Sequence, residues 1–207
     1  MHLKAMSIVG GMAVALSLMA TVAPTAAELY WTPWVSEENG GPASICTAWN
    51  EAAVGFGCSG RYCDNVRLLC ETLPFGTTLE PTTDYWTAYF SEEHDDIEVI
   101  QHHTWYPYAD EHYRVCHRAS TGGLVSGIKC QGRYCDNIAI ECTQPVKYVD
   151  GTRYAVALTD CSWTAWQSEE QGSMDFGWNR YITGVECQGS YCDNKRFLVC
   201  SLADPGQ

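Results

Sequence analysis

Hydrophobic and polar positions alternate along this chain in short bursts, and almost nowhere with the 3.6-residue spacing of an amphipathic helix. Apolar, aromatic and β-branched residues gather at 66–70, 125–130, 138–142, 154–158, 181–187 and 197–200, each run bounded by Gly, Pro, Asn or Asp. Such runs predict strands: β-branched and aromatic side chains pack well on a pleated surface, and the bounding residues supply the turns. One stretch differs. Residues 8–23 are mostly apolar, follow Lys4, and lead through Pro24 into Thr25-Ala26-Ala27. A positive start, an apolar run and a small-residue cleavage motif predict a secretory signal peptide over 1–27, with residues 28–207 as one mature domain. No other run approaches the ~20 apolar residues that span a bilayer.

The strand pattern is itself repeated. Cys-x-Gly-x-Tyr-Cys-Asp-Asn occurs at 58–65, 130–137 and 187–194. A second phrase always precedes it: Trp-Thr-Pro-Trp-Val-Ser-Glu-Glu at 31–38, Trp-Thr-Ala-Tyr-Phe-Ser-Glu-Glu at 86–93 and Trp-Thr-Ala-Trp-Gln-Ser-Glu-Glu at 163–170. Two phrases in fixed order, three times over, describe one structural unit copied three times. The repeats fall at about 28–74, 84–145 and 154–202, each a Trp-rich strand followed by a hairpin whose tip is the Cys-Asp-Asn phrase. Gly60, Gly132 and Gly189, with the Asp-Asn pairs, are the turn residues. The second repeat carries an insertion over about 94–113. The predicted fold is all-β, with three pseudo-symmetric repeats around a Trp-rich core.

Cysteine sharpens this picture. All 12 lie beyond the leader, four to a repeat: Cys46, Cys58, Cys63 and Cys70; Cys116, Cys130, Cys135 and Cys142; Cys161, Cys187, Cys192 and Cys200. Export places them in an oxidising compartment, so two disulfides per repeat are expected. Four cysteines permit three pairings. The preferred one joins Cys58–Cys63, Cys130–Cys135 and Cys187–Cys192 as small loops, and Cys46–Cys70, Cys116–Cys142 and Cys161–Cys200 as longer staples. Zinc binding by the same thiols is the alternative, and export argues against it. Cys161 precedes its Trp phrase where Cys46 and Cys116 follow theirs, so the third staple requires the Trp strand to run beside the last strand of its unit.

The chain has 12 Lys plus Arg against 25 Asp plus Glu, a formal charge of −13. That balance disfavours nucleic acid, whose binding needs clustered cations, and anionic membranes. It leaves glycans, extracellular proteins and divalent cations as partners.

Three groups of residues carry candidate chemistry. The first is Tyr62, Asp64 and Asn65 with Tyr134, Asp136, Asn137 and Tyr191, Asp193, Asn194. Asp and Asn both suit sugar hydroxyls, and Tyr offers a flat face to a pyranose. Three copies would make a trivalent surface. The competing reading is ordinary turn chemistry, in which Asn and Asp fold back on their own loop. The second group is Glu37-Glu38, Glu92-Glu93 and Glu169-Glu170. These pairs could hold calcium, but adjacent strand residues point to opposite faces, which favours a solvated strand end with Ser capping a turn. The third is the insertion, where Trp105, Tyr106 and Tyr108 suit a contact loop, and His94, His102, His103 and His112 could ligate zinc or copper. Trp49, Trp105 and Trp178 do not recur between repeats and are candidates for exposed use. No Gly-x-Ser-x-Gly, phosphate loop or His-Glu-x-x-His occurs, so no enzyme is expected, and no cofactor beyond possible calcium.

Trp31 to Trp34 with Asn65-Val66-Arg67-Leu68-Leu69-Cys70, Trp86 to Tyr89 with 137–142, and Trp163 to Trp166 with 194–200 resemble the repeats of the vitelline membrane outer layer protein I family, in layout over nearly the whole mature chain. The resemblance implies a β-prism, three sheets around a pseudo-three-fold axis, with a β-trefoil as runner-up. It also implies an extracellular, glycan-associated role. Cys63, Cys135, Cys192 and the insertion depart from that family's pattern. Three-fold cysteine-rich modules attached to perforin-like toxins are similar in kind, which adds docking as a possible task. The functional expectation is a secreted or periplasmic, lectin-like binding module. The alternatives are a structural or protein-interaction component of a matrix or envelope, and, further off, a hydrolase.

Overall fold

The computed structural model describes residues 29–36, 43–91, 113–116 and 122–203. The segment expected to be a leader, Glu37, Glu38, Glu92 and Glu93, and the insertion candidates His94, His102, His103, Trp105, Tyr106, Tyr108 and His112 lie outside the described residues.

The first repeat supplies β1 (Leu29–Trp31), β2 (Val35–Ser36), β3 (Ser44–Ile45), β4 (Glu51–Ser59), β5 (Asn65–Thr72) and β6 (Thr77–Leu79). The second supplies β7 (Tyr85–Trp86), β8 (Tyr113–Val115), β9 (Leu124–Gln131) and β10 (Asn137–Thr143), followed by β11 (Pro145–Val149). The third supplies β12 (Thr152–Ala155), β13 (Leu158–Trp163), β14 (Met174–Asp175), β15 (Tyr181–Gln188) and β16 (Asn194–Leu202). The only helical elements among the described residues are three-residue 3-10 turns. The protein is all-β, as its alternation predicts.

Each repeat builds one antiparallel sheet on its hairpin, and each sheet is completed by a strand from another repeat. The orders are β1-β5-β4-β14, β7-β10-β9-β3 and β13-β16-β15-β8. Repeat one thus lends β3 to sheet two, repeat two lends β8 to sheet three, and repeat three lends β14 to sheet one. The inner strands β4, β9 and β15 each pack against the other two, around a pseudo-three-fold axis. This is a β-prism-like body with cyclic strand exchange. A smaller sheet, β12-β11-β6, flanks it.

The exchange depends on a bulge that recurs in every hairpin. Register slips between Ala53 and Gly55, between Glu141 and Cys142 opposite Ser126, and between Ile182 and Gly184. A bulge leaves one residue outside the ladder, and its carbonyl receives the incoming chain. Cys46 N–H donates to Ser126 O (2.8 Å), Cys116 N–H to Thr183 O (2.7 Å) and Phe176 N–H to Val54 O (2.9 Å). The next residue is glycine each time. A Cβ on Gly184 would lie 2.9 Å from Arg114 O, and one on Gly55 would collide with Met174 O. Only a residue without a side chain admits the lent strand this closely.

All six disulfides follow the preferred pairing, and no described cysteine is free. Six disulfides in a chain of this size belong to an oxidising, non-cytosolic compartment. Cys46–Cys70 and Cys116–Cys142 tie the lent strand to its home sheet, locking the first two junctions. The third differs by one residue. Asn65 precedes Cys70 by five positions, but Asn194 precedes Cys200 by six. A one-residue offset moves a strand side chain to the other face. Val199 therefore enters the core where Cys70 and Cys142 stand, and Cys200 meets Cys161 on the adjacent β13. The Trp strand does run beside the last strand of its unit, as that staple requires. At the third junction Phe176 takes the place of a half-cystine and packs on Phe197, centroids 5.6 Å apart.

Two expectations are corrected. The run 154–158 is not one strand: Val156 turns into the core, 2% exposed, and the chain passes there from the small sheet to sheet three. The core is not Trp-rich. Phe56, Leu68, Phe90, Ile128, Ile138, Ile140, Ile182 and Phe197 fill it, while Trp31, Trp86, Trp163 and Trp166 are half-buried and Trp34 is exposed. An aromatic contact contributes about 1 kcal/mol beyond its area, whereas a disulfide is typically worth about 2–4 kcal/mol. The third junction is accordingly the weakest. Native-state hydrogen exchange is expected to show the Phe176 amide opening well ahead of the equivalent Cys46 and Cys116 amides; equal protection of the three would refute this ranking.

Candidate functional site

The three Cys-Asp-Asn tips meet at one end of the axis. Each begins with glycine at positive φ (Gly60 76°, Gly132 76°, Gly189 80°) and passes through two consecutive left-handed residues, Tyr62-Cys63, Tyr134-Cys135 and Tyr191-Cys192, with φ between 54° and 62°. A left-handed L-residue costs roughly 1–2 kcal/mol, so six of them persist only where their surroundings enforce the shape. The short disulfide loop does so within each tip. Between tips, Tyr62, Tyr134 and Tyr191 form a closed trio with all three centroid separations at 5.2 Å. Neighbouring tips also touch where a disulfide sulfur meets a backbone carbonyl: Cys135 Sγ lies 3.1 Å from Asp64 O, and Cys63 Sγ 3.5 Å from Asp193 O.

The expected trivalent surface is therefore a single composite apex. Asp64, Asp136 and Asp193 each accept a hydrogen bond on Oδ1 from the Nδ2 of the following Asn65, Asn137 or Asn194 (2.5, 2.7 and 2.7 Å). The same oxygens lie over Gly60, Gly132 and Gly189, where a Cβ would strike them. Asp and Asn thus shape the turn, and the three half-buried tyrosines with the exposed residue before each make the outward chemistry. That preceding residue is Arg61, Arg133 or Ser190. Arg61 Nη2 donates to Tyr62 Oη (3.0 Å), with its guanidinium 4.8 Å from that ring and 5.9 Å from Tyr134. Arg133 Nη2 donates to Tyr134 Oη (3.2 Å), 4.9 Å from the same ring. At Tyr191 the short Ser190 stands where a guanidinium would be.

The same sector differs underneath. Val66 and Ile138 lie below the first two tips, but Lys195 occupies that position in the third, fully buried, its Nζ donating to Cys192 O. The sector whose rim lacks a guanidinium thus has an amine beneath its loop. The signal was present in the sequence as the one charged residue in the series Val66, Ile138, Lys195.

A second three-fold feature lies on the outer faces. The two aromatics of each Trp phrase grip one cation: Arg67 between Trp31 (4.3 Å) and Trp34 (4.1 Å), Lys129 between Trp86 (4.4 Å) and Tyr89 (5.3 Å), and Arg196 between Trp163 (5.1 Å) and Trp166 (4.8 Å). The cation does not always come from the same strand. The cross-strand pairs are Gly57 with Arg67, Lys129 with Ala139, and Glu186 with Arg196. Gly57 leaves room for Arg67, and Glu186 binds Arg196 through both oxygens at 2.6 and 3.0 Å.

Of the Glu pairs, Glu169-Glu170 is described. It sits in a 3-10 turn, Glu169–Gln171, closed by Ser168 N–H donating to Gln171 Oε1 (3.1 Å). Among the described residues no group of three or more His, Cys, Asp or Glu could hold a metal ion, and no helix is long and apolar enough to cross a membrane. Trp49 and Trp178 are exposed, at 66% and 65%. Comparison with protein-family models, curated proteins and solved structures finds no match for this chain.

The ladders generate a test. Lys129→Ala is expected to lower unfolding stability by about 1 kcal/mol, the scale of a partly exposed cation–π contact. Adding Ala139→Arg, which restores a cation from the strand used by the other two repeats, should recover most of it in denaturant titrations. No recovery would mean that Lys129 acts otherwise than through its aromatics.

Proposed function

We propose that this protein is a secreted, non-catalytic binding module that recognises carbohydrate at the three-tyrosine apex. The observation that carries the reading is the broken symmetry there: Tyr191 alone of the three rings has no guanidinium from its own tip. A sugar ring stacked over Tyr191 would find Arg61 and Arg133 on the rim, with most donors of each fork still free to bind. That combination suits a saccharide bearing a carboxylate or sulfate. Rigidity supports the reading, since loops already fixed by disulfides and mutual packing lose little entropy on binding. Strained backbone also concentrates at functional sites. The leader-like segment 1–27, the disulfides and the resemblance in repeat layout to vitelline membrane outer layer protein I agree with an extracellular, glycan-associated role.

The test uses Ser190→Arg, which copies the residue of the other two tips and should leave the fold intact. Screened on a glycan array with acidic and neutral saccharides, the native protein is expected to favour acidic ones. Ser190→Arg should weaken that binding by about tenfold or more, a loss of about 1.4 kcal/mol, at an unchanged melting temperature. A blank array from well-folded protein, or binding indifferent to Ser190→Arg, would remove the apex as the carbohydrate site.

A further inference from the structure

We propose that the opposite end of the prism is a membrane-contact surface, which seats Trp49, Phe75 and Trp178 in the interfacial layer of a zwitterionic, phosphocholine-type bilayer. It is independent of the apex. The eight residues of β15 separate the Trp178 turn from the Tyr191 tip, about 25 Å at about 3.3 Å per residue.

Three of the described turns lie at this end, and each carries one exposed aromatic at its tip: Trp49 (66% exposed), Phe75 (37%) and Trp178 (65%). The turns are neighbours. Leu73 N–H donates to Asn50 O and Leu79 N–H to Trp49 O, both at 2.7 Å, so the Trp49 turn braces both flanks of the Phe75 turn. Phe75 in turn contacts Trp178, with ring centroids 6.3 Å apart.

The presentation is built into the backbone. Phe75 and Asn179 have φ of 59° and 55°, beside Gly76 at 67° and Gly177 at 86°. Asp175 Oδ1 accepts from Gly177 N–H (2.8 Å), and the Asn179 amide pairs with both backbone groups of Leu202 (3.3 and 3.2 Å). The Glu71 carboxylate lies beneath this turn, its pKa raised by burial. Trp178 thus stands on a turn fixed by three hydrogen bonds, yet its side chain is left in water. Large exposed aromatics held in this way mark interaction surfaces.

Charge selects the occupant. In a chain with 25 carboxylates, the tips read Ala48-Trp49-Asn50, Pro74-Phe75-Gly76 and Gly177-Trp178-Asn179, without a charged side chain. Of the flanking charges, Glu51 and Glu71 are both 7% exposed, Arg180 is turned to Asp160 O and Ser162 Oγ, and Asp175, though exposed, is folded back onto Gly177 N–H. Trp and Phe partition to the headgroup level of bilayers, and an uncharged tip on an acidic body fits a neutral headgroup surface better than an anionic one. A flat polysaccharide would need coplanar rings, but Phe75 and Trp178 meet at 79°.

The test is flotation of the exported, fully oxidised protein with phosphatidylcholine vesicles. Co-flotation, a blue shift of tryptophan emission and quenching by brominated phosphatidylcholine are expected, with weaker binding to vesicles enriched in phosphatidylserine. Trp49→Ala with Trp178→Ala should lower partitioning by about tenfold or more, since interfacial binding scales with the apolar area inserted. Phe75→Ser provides a second variant should the double one fold poorly, and near-ultraviolet circular dichroism monitors the fold. Failure of the native protein to float, equal flotation of the variants, or aromatic-dependent retention on insoluble cellulose or chitin instead would each overturn the proposal.

Discussion

The bulge at Val54, Ser126 and Thr183, with glycine after it, is the constraint on which the rest of the molecule rests. A three-stranded antiparallel sheet with one apolar face cannot close on itself and would expose an edge. Here each hairpin opens its ladder at one point, offers a carbonyl, and places glycine next: Gly55 and Gly184 clear the lent strand itself, while Gly127 clears Glu141 and Trp86 of its own sheet. Because the loan runs from one to two, two to three and three to one, each sheet gains one edge strand from a neighbour. The axis, the convergence of the three tips and the even spacing of the tyrosines all follow from that cycle.

Given the cycle, small inequalities between repeats acquire meaning. The extra residue before Cys200 withdraws the disulfide from the third junction and leaves aromatic packing in its place. In the ladders the cation moves from one strand to its cross-strand partner, yet it stays between the same two rings. The interaction kept is the geometric one, a cation in an aromatic grip, not the identity of a position. At the apex, Ser190 and Lys195 change together in one sector. Symmetry forms the surface, and the departure from symmetry gives it a direction.

Much of this was legible in the chain. Alternation between turn residues marked the strands, the repeated phrases marked the three units, and cysteine order favoured, among three pairings per repeat, the one observed. Trp49 and Trp178 read as non-recurring, yet they are one position of repeats one and three: each opens a Trp-Asn pair six residues before the bulge glycine, Gly55 or Gly184. What could not be read was the third dimension of the repeat. Lent strands of two or three residues, such as Ser44–Ile45 and Met174–Asp175, carry no alternation long enough to detect. Their partners lie in other repeats, so no local pattern announces them. The recurring tryptophans suggested a core because large aromatics usually bury. Here a neighbouring cation covers each ring, and the outer face suffices. The three tips read as three sites because the sequence lists them separately, and only the exchange brings them together.

The two ends of the prism divide the physical chemistry between them. At the apex, side chains capable of hydrogen bonding are held by strained loops whose apolar parts are spent on one another. At the opposite end, the polar groups are spent on anchoring turns, and the aromatic parts face outward. Asn179 shows the second arrangement plainly: its side-chain amide is spent on both backbone groups of Leu202, and those bonds fix the turn that presents Trp178. A polar anchor spent on holding an apolar side chain in water adds nothing to the isolated domain through that side chain. A rigid strand framework between the ends would let one surface be held while the other remains free to bind.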